Sequence, residues 1–234
     1  MFFLPTLPWY YWVATFVGIG LSLLASARVK STFARFAQVG VRSGMTGAQA
    51  AMAVARAGGA HDVTVERHQG FLSDHYDPRT KTLRLSPEVY DGRSISSIAV
   101  AAHEAGHSIQ DVEAYGPLTM RSKLVPVANL GNQLWMIPIF LGFFMQGLAE
   151  QMWTLAILLF AGVVAFQLVT LPVEFNASKR AKLVLARTGI VSTQEEAQGV
   201  EKVLDAAAMT YVAAAVGSLL QLLYLIFVLM NRRD

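Results

Sequence analysis

The chain has 234 residues, of which 54% are hydrophobic and 15% charged, against about 45–50% and about 25% in ordinary soluble domains. No charge occurs in residues 1–27, 124–149, 151–173 or 206–231, and each window is long enough for a bilayer core that takes roughly 20 apolar residues of helix, so a simple soluble globule is excluded. Cysteine is absent, which removes disulfides and thiolate metal sites and leaves His, Asp and Glu as the strong metal ligands.

The net charge of +3 comes from residues 28–123, with 12 Lys/Arg against 9 Asp/Glu, while 174–205 balances at five against five. No basic stripe points to nucleic acid; the excess reads as membrane topology. Residues 1–27 are expected to form transmembrane helix 1. Its end, Leu24-Ala25-Ser26-Ala27, resembles a signal-peptidase site, but no basic residue precedes the apolar run and the run exceeds a signal core of about 7–15 residues. Arg28, Lys30, Arg35 and Arg42 follow. The positive-inside rule then sets the N-terminus outside and residue 28 onward in the cytoplasm, although Arg232 and Arg233 at the tail would fall on the opposite side if all four windows span.

Residues 46–58 read as a short Ala-rich helix with Thr46 as N-cap and Gly58-Gly59 as stop. Alternation in Val63-Thr64-Val65 and Lys81-Thr82-Leu83-Arg84-Leu85, with an Asp77-Pro78-Arg79 turn between, predicts a small antiparallel sheet across 62–86. Asp91 or Ser94 then caps a helix over about 94–113. Residues 124–173 are expected to form a transmembrane hairpin turning at Glu150, with Pro138 kinking its first arm and Pro126 and Pro172 near span ends. Segment 174–205 reads as polar and helical, broken at Thr188-Gly189 and restarted by a Ser192-Thr193-Gln194-Glu195 cap. Residues 206–234 supply transmembrane helix 4 and a tail.

The chemistry lies in His103-Glu104-Ala105-Gly106-His107, which uses two of the five histidines. Helix positions four apart share a face, about 5–6 Å apart, so two imidazoles can share one zinc while the Glu beside the first His reaches a water. The bland reading is two histidines and a solvated carboxylate on an amphipathic helix. Catalytic zinc needs a third protein ligand and an open position. Glu113 qualifies only if the helix breaks; Glu174, 67 residues beyond His107, is the better candidate, because the hairpin returns the chain to the motif's side. Its other role would be a helix-start carboxylate at a membrane interface.

Three blocks, DHYDPRTKTLRLSPEVYDGRS (74–94), AAHEAGHSIQ (101–110) and LPVEFNASKRA (171–181), together with this order of spans, resemble the YugP-type neutral zinc metallopeptidases, bacterial membrane proteases. The resemblance covers nearly the whole chain. It implies His103 and His107 as ligands, Glu104 as general base and Glu174 as downstream ligand. More distantly the plan is similar to membrane gluzincins of the HtpX and CAAX prenyl protease kind, in which an Asp follows the downstream Glu by four residues. Ser178 holds that place here, with Asn176 nearby, and these two are the candidate groups to orient a ligating His.

The expected fold is therefore a mainly α integral membrane protein, with about four transmembrane helices and a small α+β zincin-like catalytic domain. The expected function is a zinc-dependent endopeptidase of the bacterial plasma membrane, acting on protein or peptide substrates at the cytoplasmic surface. A non-proteolytic, zinc-containing membrane scaffold is the alternative, supported by Ser178 in place of a carboxylate; zinc within the bilayer is disfavoured by the motif helix's polar flanks. His75 and Tyr76 are candidate oxyanion donors, with His75 otherwise a surface hairpin residue, while His61 and His68 read as solvated. Leu83-Arg84-Leu85 could hold an extended peptide by edge pairing or be a plain structural strand.

Overall fold

The computed structural model describes residues 9–70 and 73–231. The chain divides into two compact units, one drawn from Met1–Ala25, Met120–Leu171 and Thr210–Asp234, the other from Ser26–Thr119 and Pro172–Met209.

The first unit is built from helix segments. Helix α1 (Trp9–Ala37) runs unbroken through Leu24–Ala27, and the residues before it lie outside the described set. Among the described residues three helical stretches, Gly116–Phe144, Ala149–Arg187 and Gln194–Met230, are long and apolar enough to cross a membrane. Many of their large side chains face outward, as with Phe144 at 66% and Leu158 at 65% exposed, and the buried cluster is small: Trp153, Phe160, Val163, Val164, Tyr224 and Leu225. That distribution suits lipid as the solvent, where helices satisfy their own backbone and associate through close packing. At Gly131 a Cβ would lie 2.5 Å from the Leu159 carbonyl oxygen, so glycine sets how near these two segments come.

The first arm of the hairpin is α5 (Gly116–Leu134) followed by α6 (Met136–Phe144). The break falls at Trp135 rather than at Pro138, because a proline ring collides with the carbonyl four residues back, and that residue is Leu134, the last of α5. The turn between the arms lies at Met145–Leu148, with a short 3-10 segment Gln146–Leu148. Glu150, expected at the turn, instead occupies the first turn of α7 (Ala149–Arg187), where the helix N-terminus favours a carboxylate. Pro172, expected near a span end, is inside α7, which continues to Arg187. Gly189, at φ +69°, then reverses the chain into α8 (Gln194–Met230). The cap of α8 is one residue beyond the expected one: Thr193 Oγ1 accepts from the Glu196 N–H at 3.1 Å and Glu196 accepts from the Thr193 N–H at 3.1 Å, which is the reciprocal capping-box spacing.

In the second unit, α2 (Gly47–Ala57) starts at a capping box between Thr46 and Gln49, at 2.9 and 3.2 Å. The sheet holds β1 (Thr64–Arg67), β2 (His75–Asp77) and β3 (Thr82–Leu85) in the order β1-β3-β2. It is mixed, where alternation alone predicted antiparallel pairing: β2 and β3 are antiparallel, with Tyr76 opposite Leu83, and β1 runs parallel to β3, with Val65 opposite Leu83. The Asp77-Pro78-Arg79 turn joins β2 to β3, so that local hairpin occupies one edge of β3 and leaves the other for β1. Asp77 accepts the Arg79 N–H at 3.0 Å and Lys81 sits at φ +51°.

That Arg79 N–H, and then the Arg84 guanidinium at 3.1 Å, hold the Asp77 carboxyl down at about 2. A folded-state value below the unfolded one of about 3.9 gives stability that is present above about pH 4 and lost as the pH falls toward 2. Asp77→Asn should therefore lower the thermal midpoint at pH 7 and leave it unchanged near pH 2, read by unfolding of the detergent-solubilised chain.

After α3 (Pro87–Tyr90), Ser94 caps α4 (Ile95–Val112) through the Ser97 N–H at 3.2 Å. Helix α4 packs on α2, with the sheet against both. Leu83, Leu85, Ile98, Ala102, Leu185 and Leu204 are among the buried residues of this core.

Candidate metal centre

Helix α4 carries Ala or Ser at half of its buried positions and is covered on nearly every side. Small side chains let neighbours approach its backbone, and one close approach is at the motif itself. A Cβ on Gly106 would stand 2.5 Å from the Ala177 carbonyl oxygen of α7. Gly106→Ala should force the two helices apart, costing about 1–3 kcal/mol as overpacking does. Both the thermal midpoint and the zinc affinity of the full chain are expected to fall.

With the helices that close, three ligand atoms converge within this one unit. The Nε2 atoms of His103 and His107 lie 3.1 and 3.6 Å from the same oxygen, Oε2 of Glu174, and the rings stand edge to face with centroids 4.9 Å apart. Tetrahedral zinc with bonds of about 2.0–2.1 Å has ligand–ligand edges of about 3.3–3.4 Å, and the two separations bracket that value. Glu174 is 2% exposed and His107 is buried. Burying a carboxylate is costly unless it is paired or coordinates a metal, and here it faces two imidazole nitrogens. Among the described residues this is the one cluster of three such groups with ligand atoms within 4.8 Å of one another. Two neutral imidazoles and one carboxylate suit zinc, so the residues present fit that ion.

The far sides of both rings are held. His103 Nδ1 lies 3.0 Å from Ser178 Oγ and His107 Nδ1 lies 3.0 Å from Gln110 Oε1. Gln110 also donates to the Val173 carbonyl at 2.8 Å and to Asn176 Oδ1 at 2.9 Å. Asn176 Oδ1 further accepts from Arg180 Nε at 2.6 Å, and Arg180 pairs with Glu113 at 2.6 Å. Ser178 thus contacts a candidate ligand directly and Asn176 does so through Gln110. Sequence reasoning missed Gln110 and Arg180, although each lies one helical turn from a candidate residue, Gln110 three after His107 and Arg180 four after Asn176. Glu113 caps the C-terminus of α4 and pairs with Arg180, so it is not part of the three-residue cluster.

Glu104 follows His103 on α4 and is 9% exposed. His75 is on β2, which lies against α4. Its Nδ1 is 2.8 Å from the Ser73 carbonyl oxygen, an atom that only accepts, so a neutral His75 carries its proton on Nδ1 and presents an acceptor at Nε2. Only the imidazolium would donate to an oxyanion. Tyr76, the other candidate donor, gives its hydroxyl proton to Asp111 at 2.9 Å; burial first, and then that carboxylate, push its ionisation upward. His61 and His68 are exposed. Leu83, Arg84 and Leu85 cannot take a peptide by edge pairing, because β3 is the central strand and both its edges are filled, by β1 and β2. The flaw in that expectation is physical: alternation marks a strand without saying whether it ends up inside the sheet or at its rim.

The family model described as "Putative neutral zinc metallopeptidase" matches residues 11–230. The chain belongs to this family. It is 47% identical over 220 residues, 94% of this chain and 96% of the relative, to the "Putative membrane protease YugP" of Bacillus subtilis (strain 168). No solved structure matches the chain. The neutral zinc metallopeptidase family supplies the metal's identity, and the cluster of His103, His107 and Glu174 offers a site for it. The apolar helices and the membrane protease relative together place the chain in a membrane.

Proposed function

We propose that this chain is a membrane-embedded zinc endopeptidase that cuts protein or peptide substrates at the membrane surface, with His103, His107 and Glu174 as metal ligands and Glu104 as general base. The observation that carries the reading is the meeting of two imidazole nitrogens and one carboxylate oxygen at distances suited to zinc. Bound there, zinc would supply a Lewis acid that polarises the scissile carbonyl and acidifies water. Glu104, beside His103, takes the proton from the attacking water and returns it to the leaving amine. Glu174 balances part of the ion's charge, and Ser178 and Gln110 keep the rings aimed. An extended substrate pairs with the outer edge of β2, the rim strand against α4.

Four spans, with α1 uncleaved, are the favoured topology, since α1 is continuous through the signal-like Leu24–Ala27. The basic residues Arg28, Lys30, Arg35 and Arg42 support a site on the cytoplasmic side of a bacterial plasma membrane. Arg232 and Arg233, which bear on the opposite orientation, lie outside the described residues. The scaffold alternative rested on Ser178, and Ser178 sits at hydrogen-bond distance from His103, so the substitution leaves that ring with a partner.

Stripping zinc from the detergent-solubilised full chain with 1,10-phenanthroline should abolish cleavage of an unfolded protein substrate, and zinc added back should restore it. Cleavage that survives complete zinc removal would contradict the reading.

A further inference from the structure

We propose that Gln110, Asn176 and Arg180 are positioning residues, a hydrogen-bond relay of fixed donor directions that presets His107 with a proton on Nδ1 and its Nε2 toward Glu174; the proposal rests on the metal reading of the site.

The direction of every bond in the relay follows from groups that can play only one part. Gln110 is fully buried and its Nε2 meets two oxygens, the Val173 carbonyl at 2.8 Å and Asn176 Oδ1 at 2.9 Å. A backbone carbonyl cannot donate, so the nitrogen of the amide must lie on that side and Oε1 must face His107. An amide oxygen cannot donate either, so the contact at 3.0 Å requires the proton on His107 Nδ1. Asn176 is fixed in turn by Arg180, whose guanidinium has donors only and stays charged. Arg180 Nε donates to Asn176 Oδ1 at 2.6 Å, which turns that oxygen toward Gln110.

Arg180 is itself held at three points. Besides Asn176 it pairs with Glu113 at 2.6 Å, and it lies over the Tyr115 ring at 5.7 Å. Glu113 and Tyr115 flank the end of α4, so the relay ties the helix bearing His107 to the helix bearing Glu174.

His103 differs. Its Nδ1 partner is Ser178 Oγ at 3.0 Å, and a hydroxyl donates or accepts as required, so Ser178 leaves the tautomer of His103 open. The two candidate ligands are therefore held unequally, and His107 is the one whose far nitrogen has a fixed donor role. The amide also orients the ring without the added charge of the carboxylate that commonly does this work.

The test uses the full chain in detergent, with zinc affinity measured by chelator competition and ring tautomers read in the metal-free protein from nitrogen–proton correlations of labelled histidines. Gln110→Leu and Asn176→Leu should each weaken zinc binding by about 10- to 100-fold, as loss of an outer-shell partner does, and should turn His107 from a single Nδ1–H form into a mixture. Asn176→Asp keeps the one atom the relay uses and should bind zinc nearly as the parent does, with the Nδ1–H form intact. Unchanged affinity and an unchanged His107 spectrum in Asn176→Leu would overturn the relay while leaving the metal centre standing. So would an equal loss in Asn176→Asp and Asn176→Leu. A parent chain that binds no zinc would overturn the metal reading and the relay with it, and is told apart because the parent itself fails. The Asn176 pair keeps the test decisive if Gln110→Leu does not fold.

Discussion

Glu104→Gln is expected to lower the rate of peptide hydrolysis by about 10²- to 10⁴-fold, the range in which a positioned general base contributes, and to leave zinc content and thermal midpoint unchanged. The substitution keeps the volume and the position on α4 and removes the basic oxygen next to His103. Single-turnover cleavage of a fluorogenic peptide, alongside zinc analysis of the same preparation, separates the two effects. Loss of zinc together with activity would make Glu104 a ligand rather than a base, and full activity would remove it from the mechanism. The variant should also retain bound substrate, which makes it the natural bait for finding what the enzyme cuts.

Glu174→Ala is expected to act on the metal itself. With two imidazoles left, zinc affinity should fall by more than the about 10- to 100-fold that loss of an outer-shell partner costs, and cleavage should disappear at trace free zinc. Glu174→Gln keeps the side chain's size in a site where the carboxylate is 2% exposed, so a similar loss in both variants ties the effect to the charged oxygen rather than to packing. Zinc content measured after dialysis against buffered zinc checks this, and retention of stoichiometric zinc in both variants would exclude Glu174 as a ligand.

What could be read from the sequence was what depends on local spacing. His103 and His107 are one turn apart whatever else the chain does, Thr46 reads as the N-cap of the Ala-rich helix from its place before it, and long charge-free windows specify membrane helices by length. The order of spans, whose hairpin returns the chain to the motif's side, and then the family resemblance extended this to Glu174, which no local rule connects to residues so far upstream. What escaped depends on which elements meet. The approach of Gly106 to Ala177 brings α4 onto α7, and only that contact brings Gln110 to Asn176 and Ser178 to His103. Nothing in the alternation of Leu83, Arg84 and Leu85 foretold that β3 would be central, because the claim of β1 on its free edge is a long-range choice. The continuation of α7 through Pro172 was hidden for a related reason: a proline marks a helix boundary on local grounds, and packing along the helix overrides it.

The central claim is that His103, His107 and Glu174 hold one zinc ion together. X-ray absorption at the zinc edge, on the full chain and on His107→Ala, tests it most directly. The account predicts a four-coordinate shell of nitrogen and oxygen at about 2.0–2.1 Å, with outer-shell scattering from two imidazole rings in the parent chain and from one in the variant. An oxygen-only shell, or an imidazole signal unchanged in His107→Ala, would contradict it.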